Sequence, residues 1–140
     1  MKQRTCTRRV EFDAAHRVMK HESKCRNLHG HRYAVDLTCE GGLDELGRVI
    51  DFSVIKSVFG AWVDTHLDHG TIVNEADQDL INLCRTNKWK LYLLDSNPTA
   101  EVMSEFLAHK AQVLLKEYGV KVSALRLYET PNCWSDWYSE

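Results

Sequence analysis

From Thr5 to Arg17 apolar and polar positions alternate, with Val10, Phe12, Ala14 and His16 on one parity and Glu11, Asp13, Ala15 and Arg17 on the other. That period of two predicts a strand with one buried face. Alternation returns from His29 to Glu40, where Tyr33, Val35, Leu37 and Cys39 share the parity of His29 and His31 while Arg32, Asp36 and Thr38 face the other way. The segment between them, Val18 to Leu28, is polar and basic. The simplest arrangement is an antiparallel hairpin closed by a long loop of the kind that often carries function. Gly41-Gly42 and the stretch from Asp44 to Gly47 supply the next turn.

The period then lengthens. Ile55, Val58, Phe59, Trp62, Val63, His66 and Leu67 recur at three- and four-residue steps behind a capping Asp51 and predict a helix that ends near LDHG. Gln78 to Arg85 reads as a short helix, Lys90 to Leu94 as a third strand, and Asn97-Pro98-Thr99 as the entry to a second long helix. That helix buries Met103, Phe106, Leu107, Leu114 and Tyr118 and stops at Gly119, a residue suited to the left-handed αL position. Val120 to Glu129 forms the last strand. The order β-β-α-(α)-β-α-β, with no repeat or low-complexity tract, predicts an α+β protein with helices on one face of an antiparallel sheet.

Composition narrows the function. A chain of 140 residues fits one domain, residues 1–140. Eighteen basic against twenty acidic residues give a net charge of −2, and no basic run tracks a phosphate backbone, so nucleic acid is not an expected partner. The first residues, MKQRTCTRRVEF, lack the apolar stretch of a signal peptide, and nowhere do eighteen apolar residues run together. A cytoplasmic protein that avoids membranes is expected. Five cysteines, at 6, 25, 39, 84 and 133, are odd in number and include no CxxC pair, so no disulfide framework is expected.

The chemistry gathers around CRNLHGH, Cys25 to His31. His29 and His31 lie two apart on a strand and point the same way, close enough for two imidazoles to share an ion. An HxH alone is a weak signal. His16, on the same face of the neighbouring strand, supplies a third ligand if the register sets it opposite, and three imidazoles leave the fourth position of a zinc open for chemistry. Cys25 then has two readings, a fourth ligand that closes the site or a reactive thiol beside it, and spacing alone leaves both open. Asp68 and His69 in LDHG read either as a polar helix end or as an imidazole held by a carboxylate. Glu129 in LYET shares the parity of Leu125 and Leu127 and asks for a donor partner. Thr99 and Glu101 in NPTAE read as helix capping.

FDAAHR, CRNLHGH, VIDF, LDH, NPTAE and YET, in this order, resemble the 6-pyruvoyl-tetrahydropterin synthase superfamily from Phe12 to the C-terminus. The three-residue gap between Cys25 and His29 is similar to the bacterial carboxy-forming branch of queuosine biosynthesis. The resemblance implies the tunnelling fold, a four-stranded antiparallel sheet with two long helices packed on one face. It implies a homo-oligomer in which three subunits close a barrel and two rings stack into a hexamer, with sites at subunit interfaces. It makes His16, His29 and His31 zinc ligands, Cys25 the catalytic thiol, and Asp68 and His69 its proton relay. Glu129 becomes the anchor of the pterin, and Thr99 and Glu101 residues near the substrate.

The implied reaction converts 7,8-dihydroneopterin triphosphate into 6-carboxy-5,6,7,8-tetrahydropterin, acetaldehyde and triphosphate, with Zn2+ as cofactor and no nicotinamide, flavin or nucleotide. A 6-pyruvoyl-tetrahydropterin product, or a non-catalytic zinc- or pterin-binding module, are the alternatives. Asn74 stands at a different distance from the Asp-His pair than the family pattern has it, and Glu75 to Ser96 make a long connection. Arg17, Lys20, Lys24 and Arg26 are the candidate cations for a triphosphate, against the plain reading of a solvated loop.

Overall fold

The computed structural model describes residues 3–140. Strands β1 (Arg4–His16) and β2 (His29–Gly41) pair antiparallel in unbroken register, from Arg4 opposite Gly41 to His16 opposite His29. Their shared inner face carries Phe12, Tyr33, Val35, Leu37 and Cys39, all fully buried. Burial pushes the Cys39 thiol up to about 12, so it acts as a small apolar side chain. Asp51 caps α1 (Phe52–Ile55) by accepting from the Ser53 amide at 2.8 Å. The helix runs on through a wider π turn, Lys56–Gly60, into α2 (Ala61–His66).

Next come β3 (Gly70–Asn74), α3 (Gln78–Thr86) and β4 (Leu91–Leu94), then α4 (Ala100–Leu115), β5 (Lys121–Thr130) and β6 (Cys133–Tyr138). Thr99 caps α4 by accepting from Val102 at 3.2 Å, and Gly119 follows a last 3-10 turn with φ 71°, the αL stop that its position predicts.

Among the described residues the sheet has six strands in the order β4-β3-β1-β2-β5-β6. β3 runs parallel to β1 and β4 parallel to β3, whereas β1-β2, β2-β5 and β5-β6 are antiparallel. The expectation of four antiparallel strands is therefore corrected to six in a mixed sheet. Two strands escape the pattern for opposite reasons. In β3, Ile72 and Val73 are both buried on opposite faces, which erases the alternation. In β6, Trp134 and Tyr138 are exposed, so neither parity reads as a core face.

The α1-α2 rod and α4 cover one face, as expected. On β3, Ile72 joins that main core while Val73 packs with Leu80, Ile81 and Cys84, so α3 covers the opposite face. Tyr118 is exposed instead of completing the α4 stripe, because the helix has tightened into its terminal 3-10 turn by then.

Away from the helices, Arg9, Asp36, Arg126 and Asp136 stand opposite one another across β1, β2, β5 and β6. Arg9 and Arg126 each hold a carboxylate at 2.7 Å, that of Asp36 and that of Asp136 respectively. These cross-strand pairs of opposite charge keep the sheet in register.

The loop after β1 is tied down at its start. Arg17 donates to Asp77 Oδ2 at 2.6 Å, and Asp77, buried, also caps α3 through the Leu80 amide at 3.3 Å. Arg17 is thereby committed to the fold among the four candidate cations. Arg17→Ala leaves a buried carboxylate uncompensated and is expected to cost about 3 kcal/mol at pH 7. Arg17 holds the Asp77 carboxyl below its usual range against the opposing effect of burial. That contribution is complete above the unfolded value of about 4 and fades as pH falls through the lowered folded value. Urea melts of parent and variant are expected to differ at pH 7 and to converge toward pH 3.

Candidate metal and active site

The register of β1 against β2 sets His16 directly opposite His29 and puts Ala14 opposite His31. One ring nitrogen from each of the three histidines lies within 4.8 Å of the other two. Gly30, between the paired histidines, lets the strands come this close: a Cβ there would sit 3.3 Å from the Ala14 carbonyl oxygen. Two rings are locked by carbonyls. His16 Nδ1 lies 2.7 Å from the Pro98 oxygen and His29 Nδ1 2.7 Å from the Asn27 oxygen. A carbonyl only accepts, so each Nδ1 carries a hydrogen and it is Nε2 that is left to bind an ion in the neutral ring.

The electrostatics agree. Burial lowers the His16 and His31 imidazole pKa values below the ordinary range, although Glu129 pulls both upward and the Pro98 carbonyl also raises His16. Both rings are neutral at pH 7. Their Nε2 atoms are buried without a hydrogen-bond partner among the described residues. Glu129 brings acceptor oxygens to 3.4 Å from His31 Nε2 and 3.9 Å from His16 Nε2. Two buried, unpartnered imidazole nitrogens beside a carboxylate are satisfied together by a shared cation, so the donor set fits a divalent metal. Tyr33 backs His16 with its hydroxyl 3.2 Å from Nδ1, and burial holds this phenol far above its usual pKa, hence protonated.

Cys25 sits half-buried in a single 3-10 turn, Lys24–Arg26, and its carbonyl accepts from the Val18 amide at 2.9 Å. It does not join the cluster of ring nitrogens. Asp68 and His69 do touch: His69 Nδ1 is 2.7 Å from Asp68 Oδ2. Asp13 builds this pair with its backbone, its amide donating to Asp68 Oδ1 at 2.9 Å and its carbonyl accepting from the His69 amide at 2.7 Å. His69 thereby holds φ at 61°, an unusual value for a non-glycine residue. The Asp13 amide, ahead of His69, keeps the Asp68 carboxyl below its ordinary range.

The His69 ring is 77% exposed and lines a cleft of about 680 Å³ with His31, Arg32, Trp89 and Lys90, so the cleft reaches from the acid–imidazole pair to the histidine cluster. Within the chain no hydrogen bond joins Cys25 to His69 among the described residues. Thr99 spends its hydroxyl on the α4 cap, and Glu101 is exposed in the first turn. Pro98, Asn27 and Asp13 act through main-chain groups, for which side-chain identity gives no signal.

Fold and site define an α+β protein with a three-histidine site fitted to a divalent cation, a half-buried thiol loop and an acid–imidazole pair on an open cleft. Residues 5–140 match the family described as 6-pyruvoyl tetrahydropterin synthase, and the chain belongs to that family. The relative named 6-carboxy-5,6,7,8-tetrahydropterin synthase in Rickettsia bellii is 40% identical over 131 residues, covering 91% of this chain and 95% of its own. The protein of the same name from Haemophilus influenzae is 30% identical over 138 residues, 94% of this chain and 96% of its own. Among solved structures, an uncharacterized protein from Wolinella succinogenes superposes with a TM-score of 0.87 at 21% identity over all of both chains. The Caenorhabditis elegans 6-pyruvoyl tetrahydropterin synthase superposes with 0.73 at 22% identity, covering 100% of this chain and 98% of that one. The architecture is that of this family.

Proposed function

We propose that the protein converts 7,8-dihydroneopterin triphosphate and water into 6-carboxy-5,6,7,8-tetrahydropterin, acetaldehyde and triphosphate, a step toward queuosine and related 7-deazaguanines. The observation that carries this reading is the convergence of three imidazoles within 4.8 Å, in a chain 40% identical to a named carboxy-forming relative. His16, His29 and His31 would hold a zinc ion, which when bound acts as a Lewis acid toward a side-chain oxygen of the substrate.

The chain's own residues divide the remaining work. Glu129, with its side chain 26% exposed beside the histidines, accepts two N–H groups from the 2-amino-pyrimidine edge of the pterin and fixes its register. Thr99 and Glu101 stand at the turn where α4 begins and complete the substrate surroundings. Cys25 takes a proton from the side-chain carbon that becomes acidic during rearrangement, and returns it elsewhere on the pterin or its side chain. His69 keeps its Nδ1–H on Asp68, which leaves Nε2 toward the cleft to accept or give the matching proton. Asp68 stays ionised and holds that tautomer.

Cys25 and His69 meet across subunits in this reading, within three-subunit rings stacked as a hexamer. The free edges of β4 and β6 suit closure of the sheet onto neighbouring copies. No helix among the described residues is long and apolar enough to cross a membrane. Five free cysteines suit the reducing cytoplasm.

The test is product identity. Zinc-loaded protein incubated with 7,8-dihydroneopterin triphosphate is expected to yield carboxytetrahydropterin and acetaldehyde in equal amounts by mass spectrometry and aldehyde assay. A pyruvoyl product without acetaldehyde would move it to the sister activity, and an intact zinc protein without turnover would make it a binding module.

A further inference from the structure

We infer that Asn97 is a positioning residue that fastens the Cys25 loop to the same turn that orients His16, so that one dipeptide, Asn97-Pro98, sets the thiol relative to the cation ligands. This rests on the proposed role of Cys25. Asn97 grips Met19 by both main-chain groups: its Oδ1 accepts from the Met19 amide at 3.1 Å and its Nδ2 donates to the Met19 carbonyl at 3.1 Å. Asn74 Nδ2 donates to the same Oδ1 at 3.1 Å. These partners fix the amide orientation, because turning it over would face N–H against N–H and oxygen against oxygen at Met19. The next residue, Pro98, holds His16 Nδ1 through its carbonyl at 2.7 Å.

The grip reaches Cys25 because the loop closes on itself. Val18, beside Met19, donates its amide to the Cys25 carbonyl at 2.9 Å, and Arg26 and Asn27 fold back on Ser23 and Lys24 at 3.3 and 2.9 Å. Among the described residues, no other side chain outside the loop hydrogen-bonds to the segment from Val18 to Arg26. Arg17 fixes where the loop leaves β1, His29 holds its far end at the Asn27 carbonyl, and Asn97 ties the stretch between at Met19. Asn74, which stands at an unusual distance from the Asp-His pair in sequence, has its place here as the third member of the clamp.

The experiment compares Asn97→Ala, Asn97→Asp and the parent as zinc-loaded full-length proteins. Hydrogen exchange by mass spectrometry is read over the peptide from Val18 to Leu28, alongside zinc content and steady-state kinetics. Asn97→Ala is expected to speed exchange at Val18 and Met19 at least about tenfold and to lower kcat about 10²-fold, the scale of a misplacement near 1 Å. Zinc content is expected to stay at the parent level. Asn97→Asp keeps the acceptor for the Met19 amide but opposes the Met19 carbonyl, and is expected to fall between the two.

Unchanged exchange at Val18 and Met19 would overturn the clamp whatever happens to turnover. Faster exchange with full turnover would overturn the positioning role if Cys25→Ala is inactive, and would instead fault the reading of Cys25 if that variant is also active. Should Asn97→Ala fail to fold, Asn74→Ala removes one donor only, and is expected to show the same changes at smaller size. Parent-like exchange and kcat in that folded variant would count against the network.

Discussion

Cys25→Ala is expected to lower carboxytetrahydropterin formation about 10²- to 10⁴-fold, the usual contribution of a positioned proton-transfer group, with zinc content and pterin binding kept. The geometry bears on the two readings of this thiol. Ring nitrogens of His16, His29 and His31 meet within 4.8 Å, and Cys25 stands outside that set in its own 3-10 turn. Two of the rings have carbonyl partners that fix their tautomers without help from sulfur. Removing Sγ is therefore expected to leave the three-histidine donor set whole. It also leaves little cavity, because Cys25 is only half-buried, so the fold is expected to melt within about 0.5 kcal/mol of the parent. Kinetics with parallel zinc analysis and pterin titration check this. A variant that loses zinc together with activity would make the thiol a ligand and the site closed, and one that keeps full turnover would remove it from the chemistry.

How much of this was legible in the chain depends on where the information resides. The shared parity of His16, His29 and His31 is written in side chains, and the hairpin register needed to join them runs uninterrupted over β1 and β2, so the cluster was within reach. The contact between Asp68 and His69 was not. Neighbouring residues touch here because the Asp13 backbone holds His69 at positive φ, a constraint imposed by a strand distant in sequence. The carbonyl locks on His16 and His29 are equally silent, since any residue offers a carbonyl.

Arg17 looked like a candidate for phosphate because charge was visible and its buried partner Asp77 was not. Strand β3 was hidden by burial on both its faces and β6 by its exposure, whereas β4 was legible from Lys90 to Leu94 and only its parallel pairing was not. What the sequence left out is mostly the second layer of contacts, which orients groups whose identities it already displayed.

His29→Ala is expected to weaken zinc binding by more than about 10²-fold, because changing even an outer partner of a metal ligand typically costs 10- to 100-fold and this change removes the ligand itself. His29 is a cleaner choice than His16. The His16 ring is 1% exposed, bonded to Pro98 and packed edge-on against Tyr33 with centroids 5.9 Å apart, so its loss would damage the core as well as the site. His29 is half-buried, and among the described residues its one side-chain hydrogen bond goes to Asn27.

Without zinc, His29→Ala and the parent are thus expected to melt within about 1 kcal/mol of each other. Adding zinc separates them, since a ligand that binds only the folded state stabilises by RT ln(1 + [L]/Kd), about 2.7 kcal/mol at a hundredfold excess over Kd. The parent rises in Tm with added zinc and the variant does not, over the range where the parent saturates. Activity follows the metal: His29→Ala loses turnover at limiting zinc, whereas Cys25→Ala loses it with the metal bound. If zinc stabilised His29→Ala as strongly as the parent, the three-histidine site would fall, and with it the open coordination position on which the proposed chemistry depends.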